Sequence, residues 1–277
     1  MTGRAPAGRQ PLRLIATDLD GTLLRSDGTV SNRTRDALWA AVDAGIEVVP
    51  ATGRPHLWSE EVIERLPFIE HWVFANGSVT WHQGRGEVVR GWWLEAELAR
   101  SLVERIRRAI PGATVAAEFD RAVVYEAGFG SFDWGVPVLD PADDLLRHLN
   151  GDVQKLLVLD ADSDSPEELH RRVGDVVGDV AVTTFSGLAF VEVGAHLVSK
   201  ANALQELVDD LGIDRREVVA FGDYYNDLEM LRWAGRSYAM GHAADDVREA
   251  ADDVIGSNDD DAVAGMIEGF LEERSRS

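Results

Sequence analysis

The sequence predicts an α/β protein whose parallel sheet is interrupted by an inserted α+β domain. Short apolar runs alternate with helical patterns from residue 12 to 75, and again from residue 199 onwards. Between them, shorter alternating segments are separated by turn-like sequences. Alternating β and α units are typical of parallel sheets with crossover helices.

The first part of the parallel sheet is predicted from three apolar runs. These runs, at 12–17, 46–50 and 72–75, have the length of buried strands. Helical patterns lie between them, one beginning at Ser31 and the other at Pro55. Serine before a helix and proline in its first turn are typical helix starts.

The insertion is predicted to hold strands and two main helices. We expect helices at 95–110 and 166–177 and strands at 113–118, 122–126, 153–159, 180–184 and 188–193. After it, simple alternation returns, with helices predicted at 199–211, from 226, at 245–250 and from 259, and strands at 218–221, 238–240 and 254–255. The predicted division is a disordered leader at 1–10, a core domain at 11–83 and 196–277, and an inserted domain at 84–195.

Composition restricts the partners that we expect. The chain has 277 residues, of which 45% are hydrophobic, and a formal net charge of -22. This charge disfavours nucleic acid and anionic membranes, which bind basic surfaces. Cysteine is absent, so disulfides and thiol chemistry are excluded, and no apolar stretch approaches the ~20 residues of a membrane span. We predict a cytoplasmic protein. Its 27 basic residues include only two lysines, Lys155 and Lys200.

Asp18 and Asp20 are the most informative residues. They follow an apolar strand in the run Leu-Ile-Ala-Thr-Asp-Leu-Asp-Gly-Thr-Leu-Leu over 14–24. Ligands of open α/β sheets bind at the carboxyl ends of the strands. Two close carboxylates repel unless a cation or a proton separates them. One carboxylate can act as a nucleophile and the other can transfer a proton, and hard oxygens suit Mg²⁺. A solvated turn is the simpler interpretation of the Asp-x-Asp spacing alone.

Three further polar segments follow strands or begin helices. Thr52, Gly53 and Arg54 follow the second strand, where they form either a phosphate seat or an ordinary helix cap. Lys200 lies in the first turn of a predicted helix, an unfavourable place for a cation unless an anion is near. The run Gly-Asp-Tyr-Tyr-Asn-Asp, over 222–227, brings Asp223, Asn226 and Asp227 to the end of another strand. For Asp227 alone, a charge at a helix start is an equal alternative.

Taken together, these segments resemble the four motifs of the haloacid dehalogenase-like (HAD) superfamily of phosphohydrolases. Asp18 and Asp20 match the first motif, Thr52 the second, Lys200 the third, and Asp223 with Asn226 and Asp227 the fourth. The resemblance covers about 11–82 and 196–277 and implies a Rossmann-like parallel-sheet core. The segment 233–243 and the place of the insertion are similar to the Cof-type branch, subfamily IIB, whose inserted domain is called a cap.

The resemblance implies Mg²⁺-dependent hydrolysis of phosphate monoesters of small metabolites. It implies that Asp18 is the nucleophile and Asp20 the acid and base. The remaining roles that it implies are phosphate binding by Thr52, Gly53 and Lys200, metal binding by Asp18, Asp20 and Asp223, and support from Asn226, Asp227, Arg54 and Asn76. A phosphomutase with the same phosphoaspartate, and a non-catalytic protein that binds phosphometabolites, remain as alternatives. The oligomeric state is not predicted.

Two residues depart from the family pattern, and the substrate is left open. Ala201 stands where relatives have glycine, and His242 where they usually have asparagine. Lys155 begins a cap strand from which it could reach a substrate. Arginines and aromatic residues of the cap are expected mostly at the surface or in packing, with contact to substrate as the alternative: Arg85, Arg90, Arg121, Arg147, Trp81, Trp92, Trp93, Phe129, Phe132 and Trp134.

Overall fold

The computed structural model describes residues 11–120, 122–129, 144–186 and 188–276. Within these ranges the strands are β1 (Leu14–Thr17), β2 (Glu47–Pro50), β3 (His71–Phe74), β4 (Val79–His82), β5 (Glu87–Gly91), β6 (Ala113–Glu118), β7 (Val123–Tyr125), β8 (Lys155–Asp160), β9 (Ala181–Thr184), β10 (Val191–Ala195), β11 (Val218–Gly222), β12 (Arg236–Ala239) and β13 (Asp253–Val254). The helices are α1 (Asn32–Asp43), α2 (Glu60–Arg65), α3 (Ala96–Ala109), α4 (Pro166–Val177), α5 (Lys200–Leu211), α6 (Leu228–Trp233), α7 (Asp245–Ala250) and α8 (Ala262–Ser275). The expected leader, Arg121, Phe132 and Trp134 lie outside the described residues.

A parallel sheet forms the centre of the predicted core. Its strand order is β13-β12-β11-β1-β2, and each neighbouring pair is parallel. Successive residues of β1 point to opposite faces, as the period of a strand requires. Ile15 packs with residues of α1 and α8, whereas Leu14 packs with residues of α5 and α6. The sheet therefore lies between two helical layers, which confirms the predicted α/β class.

The third predicted strand, β3, lies parallel to the carboxyl end of β2. β3 pairs antiparallel with β4, and β4 with β5, in a separate three-stranded sheet. One parallel bridge, between Ala51 and Val73, ties β3 to the end of β2. The backbone pairing continues past this bridge, since the Thr52 amide donates to the Val73 carbonyl and the Asn76 amide donates to the Thr52 carbonyl, each at 2.9 Å. The strand predicted at 72–75 therefore continues the parallel sheet beside the end of β2, and it also begins the three-stranded sheet.

A second sheet, which is antiparallel throughout, is built from the inserted segment. Its order is β7-β6-β8-β10-β9, and α3 and α4 pack on one face of it. The opposite face carries Lys155, Glu192 and Glu118, interleaved with the apolar residues Leu157 and Phe190. β5 pairs with β4 and belongs to the three-stranded sheet, although it lies after the proposed boundary at 84. The domain boundaries themselves stay predictions.

Capping residues fix the helices that lead into the functional edge. Ser31 accepts a hydrogen bond from the Thr34 amide, and Ser199 accepts one from the Asn202 amide. Both serines thus cap their helices, as predicted for this residue type. Gly212 ends α5 in the left-handed region, at φ 62°. Among the described residues, none of the helices combines the length and the apolarity needed to cross a membrane.

Candidate active site

Three of the predicted segments meet at the carboxyl edge of the parallel sheet. β1 lies between β11 and β2, with Thr17 paired to Phe221 on one side and to Pro50 on the other. Asp18 follows β1, and its amide donates a hydrogen bond to the Phe221 carbonyl at 3.0 Å. Because the strands are parallel, the segments that leave them emerge at the same edge.

Lys200 joins two of the carboxylates at this edge. Its Nζ donates to Asp18 Oδ1 at 2.5 Å and to Asp227 Oδ1 at 2.6 Å. All three side chains are buried, with Lys200 only 1% exposed. Burial lowers the pKa of Lys200, but Asp18 and Asp227 outweigh it and raise the pKa above its ordinary value. Lys200 therefore stays positively charged, and the two carboxylates remove the conflict with its place in the first turn of α5.

Asp227 also holds the loop that carries Asp223. Its Oδ2 accepts hydrogen bonds from the amides of Asp223 and Tyr224, at 3.0 and 3.1 Å. Both of its oxygens therefore have partners, and Asp227 anchors the loop and Lys200 together. Asp223 accepts a hydrogen bond from the Thr22 hydroxyl at 2.7 Å. Thr22 had not been singled out from the sequence, because a threonine after glycine in a turn carries no chemical signal of its own.

The backbone approaches Asp223 closely at Gly21. A Cβ built on Gly21 would lie 2.4 Å from Asp223 Oδ2, and the residue has a φ of +78°. Glycine is required here on both grounds, since the left-handed region and the close approach each disfavour a side chain. The glycine of the first motif thus lets the segments after β1 and β11 come together.

The carboxylates form a cluster that suits a hard cation. One oxygen from each of Asp18, Asp223 and Asp227 lies within 4.8 Å of the others. Burial raises the pKa of Asp18 well above its ordinary value, Lys200 opposes this shift, and the other carboxylates add to it. Burial and Asp227 also raise the pKa of Asp223. Lys200 alone does not balance the negative charge, so the donor set fits Mg²⁺, which prefers carboxylate oxygens.

Asp20 is not one of the three carboxylates of that cluster, although it lines the same cavity. Its carboxylate is about half exposed and pairs with Arg54, whose Nε donates to Asp20 Oδ2 at 2.7 Å. A second guanidinium nitrogen of Arg54 donates to Oδ1, so the contact is bidentate. Arg54 Nη1 also reaches the Trp58 carbonyl at 3.4 Å. The two aspartates of the first motif therefore have different environments, one buried beside a lysine and the other held at the cavity by an arginine.

Thr52 and Gly53 form the loop that follows β2, close to Asn76. The Thr52 hydroxyl accepts a hydrogen bond from the Arg54 amide at 3.0 Å. A Cβ on Gly53 would lie 3.2 Å from Asn76 Oδ1. Asn76 accepts a hydrogen bond from Asn226 Nδ2 at 3.0 Å, which links the loops after β2, β3 and β11. The supporting residues expected from the sequence thus contact one another.

These loops form one wall of a cavity of about 520 Å³, and the second sheet forms the other. The first wall includes Asp18, Asp20, Gly53, Arg54, Asp223 and Asn226. The opposite wall carries Lys155, Ser186, Leu188, Phe190 and Glu192, with Trp58 and Tyr224 beside them. The cavity combines acidic, basic and apolar surfaces, as binding sites for small molecules do.

Lys155 and Glu192 form a buried ion pair on the wall of the second sheet. Lys155 Nζ donates to Glu192 Oε2 at 2.6 Å, and Glu118 lies on its other side at 3.7 Å. Both lysines of the chain are therefore buried between two carboxylates. Sequence reasoning raised Lys155 only as a residue that could reach a substrate, and it missed Glu192 and Glu118. The signal for both was a glutamate within an apolar strand.

Other residues considered from the sequence do not line the cavity. Arg85, Arg90 and Arg147 pair with carboxylates outside it. Phe129 is buried against Phe190, Trp81 packs on His56, and Trp92 and Trp93 are partly exposed. His242 lies 3.5 Å from Asp223, at Nε2 to Oδ2, with its side chain 44% exposed. Ala201 is buried directly after Lys200.

Comparisons with known proteins show the family of the chain. The family model described as haloacid dehalogenase-like hydrolase matches residues 15–267. Phosphatase YwpJ of Bacillus subtilis is 31% identical, over 94% of this chain and 100% of its own. The 5-amino-6-(5-phospho-D-ribitylamino)uracil phosphatase YcsE of the same organism is 29% identical, over 92% of this chain and 94% of its own.

Solved structures share the fold over nearly the whole chain. The phosphatase BT1666 of Bacteroides thetaiotaomicron has a TM-score of 0.81 and 26% identity, over 98% of this chain and 99% of its own. The subclass IIB sugar phosphatase BT4131 has a TM-score of 0.78 over 93% of this chain and 98% of its own. At 22% identity this second likeness concerns the fold alone. The chain belongs to the haloacid dehalogenase-like hydrolases, and it is a phosphoric monoester hydrolase of that family.

Proposed function

We propose that the protein is a Mg²⁺-dependent phosphatase that hydrolyses phosphate monoesters of small metabolites, sugar phosphates or similar compounds, through an aspartyl-phosphate. The observation that carries this proposal is the pair of Asp18 and Lys200, 2.5 Å apart beside the cavity. A buried carboxylate with a lysine and a second acidic loop around it provides a nucleophile and a site for phosphoryl oxygens. Such transfers depend mostly on positioning and on neutralisation of charge.

In the first step, an oxygen of Asp18 attacks the phosphorus in line with the leaving oxygen. The bond from phosphorus to the leaving oxygen breaks, and Asp20 donates a proton to that oxygen. Lys200, the Thr52 hydroxyl and the loop at Gly53 bind the phosphoryl oxygens. Arg54, which pairs with Asp20 and lines the same cavity as Asp18, would add positive charge on the side where the phosphoryl group binds.

In the second step, Asp20 acts as the base. It takes a proton from a water molecule, whose oxygen attacks the phosphorus of the aspartyl-phosphate. The bond to Asp18 breaks, inorganic phosphate leaves, and Asp18 is restored. The wall formed by the second sheet limits the access of bulk water, as the closing elements of other enzymes do.

Mg²⁺ would be held by Asp18, Asp223 and the backbone carbonyl of Asp20. When bound, it would supply positive charge for the carboxylates and for the phosphoryl group that is transferred. This assignment is supported by the burial of Asp18 and Asp223, which raises the pKa of both carboxyl groups and favours a neighbouring cation. Asp227, with both oxygens already bound, would support the site without binding the ion.

The lining of the cavity suits a substrate that has both polar groups and a planar ring. Glu192, Lys155 and Ser186 offer charged and hydroxyl groups for a sugar or polyol, and Trp58, Phe190 and Tyr224 offer apolar and aromatic surfaces. The relative YcsE is named for a substrate that combines a phosphorylated ribityl chain with a uracil ring. Phosphorylated polyols and pentoses, with or without an attached ring, are therefore the first compounds to test. The cytoplasmic location stays a prediction from the sequence.

The experiment is to measure phosphate release from a panel of phosphorylated metabolites, with Mg²⁺ and with EDTA. The panel contains hexose, pentose and polyol phosphates, nucleotides, flavin mononucleotide, pyridoxal phosphate and 5-amino-6-(5-phosphoribitylamino)uracil. We expect release that requires the metal. Release that is unaffected by EDTA would contradict the metal assignment. Failure of every compound, followed by isomerisation in the presence of a sugar 1,6-bisphosphate, would favour a phosphomutase.

A further inference from the structure

Lys155 makes a contact that the catalytic scheme does not use. It begins β8 in the second sheet, yet its Nζ donates a hydrogen bond to the carbonyl of Gly53, 102 positions away, at 2.8 Å. Lys155 is only 4% exposed, and its ammonium is surrounded by Glu192, Glu118 and this carbonyl. The contact joins the second sheet directly to the loop that follows β2.

Glu192 strengthens the same connection. Its Oε2 accepts hydrogen bonds from Lys155 at 2.6 Å and from Asn76 at 3.0 Å, and its Oε1 accepts one from Ser186 at 2.6 Å. Lys155 and Ser186 come from the inserted segment, whereas Asn76 follows β3. Because both oxygens are bound, Glu192 holds Lys155 in one place. The ammonium is therefore presented to Gly53 by a fixed carboxylate.

The Gly53 carbonyl belongs to the peptide that also carries the Arg54 amide. A peptide unit is planar, so fixing the direction of its carbonyl fixes the direction of its N–H. That N–H donates to the Thr52 hydroxyl at 3.0 Å. Lys155 thus orients one side of the peptide, while the other side orients the hydroxyl proposed to bind a phosphoryl oxygen.

A lysine suits the contacts at position 155 better than an arginine would. Arginine is the usual basic residue of this chain, and it carries a planar fork of donors. At position 155 the acceptors are a carbonyl and a carboxylate oxygen on different elements, with a second carboxylate at 3.7 Å. A compact ammonium, whose donors point in tetrahedral directions, serves separate acceptors of this kind.

We propose that Lys155 is a positioning residue for the phosphate-binding loop, which it holds in its catalytic arrangement by fixing the peptide between Gly53 and Arg54. This inference rests on the proposed function. The competing interpretation is that Lys155, which also lines the cavity, binds the leaving group of the substrate. The two roles differ in what they predict for different substrates. A positioning residue affects all phosphate esters equally, whereas a contact to the leaving group affects only those that offer the matching polar groups.

The test compares Lys155→Met with the wild type on two substrates and one inhibitor. The substrates are the best metabolite of the panel and p-nitrophenyl phosphate, and the inhibitor is inorganic phosphate. We expect kcat/KM to fall by about 100-fold for both substrates, the size expected when reacting groups are displaced by about 1 Å. We also expect the inhibition constant of phosphate to rise. The matched control is Arg171→Met, which removes an exposed basic residue of α4 from its ion pairs.

Three results would overturn the inference. These are unchanged constants, a loss confined to the metabolite, and an unchanged inhibition constant for phosphate. If circular dichroism shows that Lys155→Met does not fold, the double variant Lys155→Met with Glu118→Gln replaces it. The second substitution removes one of the two buried carboxylates that lose their lysine. If the wild type hydrolyses nothing, the proposed function fails separately. In that case, calorimetric titration measures the affinity of wild type and variant for inorganic phosphate. Equal affinities, or no binding by either protein, overturn the positioning role.

Discussion

Arg54 binds both carboxylate oxygens of Asp20, although the two residues lie 34 positions apart on neighbouring loops. Asp20 is proposed to give up a proton and later to take one, so its carboxylate must point at the reacting oxygen in both steps. A bidentate contact from a guanidinium fixes the plane of the carboxylate as well as its position. We therefore propose that Arg54 orients Asp20 for its proposed role as acid and base.

We predict that Arg54→Lys lowers kcat/KM by about tenfold or more. Lysine retains the charge but makes a single contact, and a hydrogen bond to a charged group contributes ~1.5 kcal/mol or more. Stability should change little, because Asp20 is about half exposed. Steady-state kinetics and thermal unfolding check both expectations, with the exposed Arg171→Lys as the control. Full activity in Arg54→Lys would show that the bidentate contact is dispensable.

Asp18→Asn should abolish turnover, and Asp20→Asn should trap the phosphoenzyme. An amide at position 18 is a poor nucleophile, so we expect a loss of at least ~10³-fold. With p-nitrophenyl phosphate, whose leaving group needs no proton, Asp20→Asn still allows the first step but slows the attack of water. Intact-mass spectrometry after acid quenching should therefore detect a phosphorylated chain in Asp20→Asn and none in Asp18→Asn. Wild-type rates in Asp18→Asn would contradict the mechanism.

The contacts at the sheet edge were predictable because they follow from local patterns. Asp18 and Asp223 come directly after apolar strands and Thr52 comes two residues after another, and parallel strands bring the residues that follow them to one edge. Lys200 could be recognised from its unfavourable place at a helix start. The roles of these residues remain proposals, but their proximity is a feature of the structure.

The contacts between the inserted segment and the core could not be predicted in this way. The hydrogen bond from Lys155 to Gly53 depends on how the second sheet lies over the parallel sheet, and strand periodicity does not encode that relation. The same applies to Glu192, whose partners come from three separate parts of the chain. The antiparallel pairing of β3 with β4 could not be predicted either, because an apolar run does not specify its pairing partner.

Mg²⁺ should stabilise the folded protein, and Asp223→Asn should remove most of this effect. At a concentration about 100 times the dissociation constant, a bound ion stabilises by ~2.7 kcal/mol, which raises Tm by about 5 °C in a chain of this size. Without the ion, Asp223→Asn should unfold at a higher temperature than the wild type, because it removes one of several repelling buried carboxylates. Thermal unfolding with and without Mg²⁺ measures both effects, and Asp36→Asn, at an exposed position, is the control. An equal response of Asp223→Asn and wild type to Mg²⁺ would exclude Asp223 as a ligand.

The stability of the protein should decrease as the pH rises from about 5 to 8, partly because of Glu118. Burial raises the pKa of Glu118 from 4.5 to about 7, Lys155 opposes this shift, and Glu192 adds to it. Between these two values the folded state holds a proton that the unfolded state has lost. The free energy of unfolding therefore falls with rising pH through this window, by up to ~3 kcal/mol, and levels off above it.

Glu118→Gln removes this titration while keeping the shape of the side chain. Asp18 and Asp223, whose pKa values are also raised, contribute a slope of the same sign, so the comparison with the wild type isolates the part due to Glu118. We expect urea unfolding at pH 5, 6, 7 and 8 to show a smaller decrease in the free energy of unfolding for Glu118→Gln than for the wild type. The stability of the variant relative to the wild type should be greatest at pH 8. Glu104→Gln, at an exposed position of α3, should follow the wild type. If the free energy of unfolding falls equally with pH in Glu118→Gln and wild type, Glu118 is ionised over the whole range from pH 5 to 8, and Lys155 neutralises its charge.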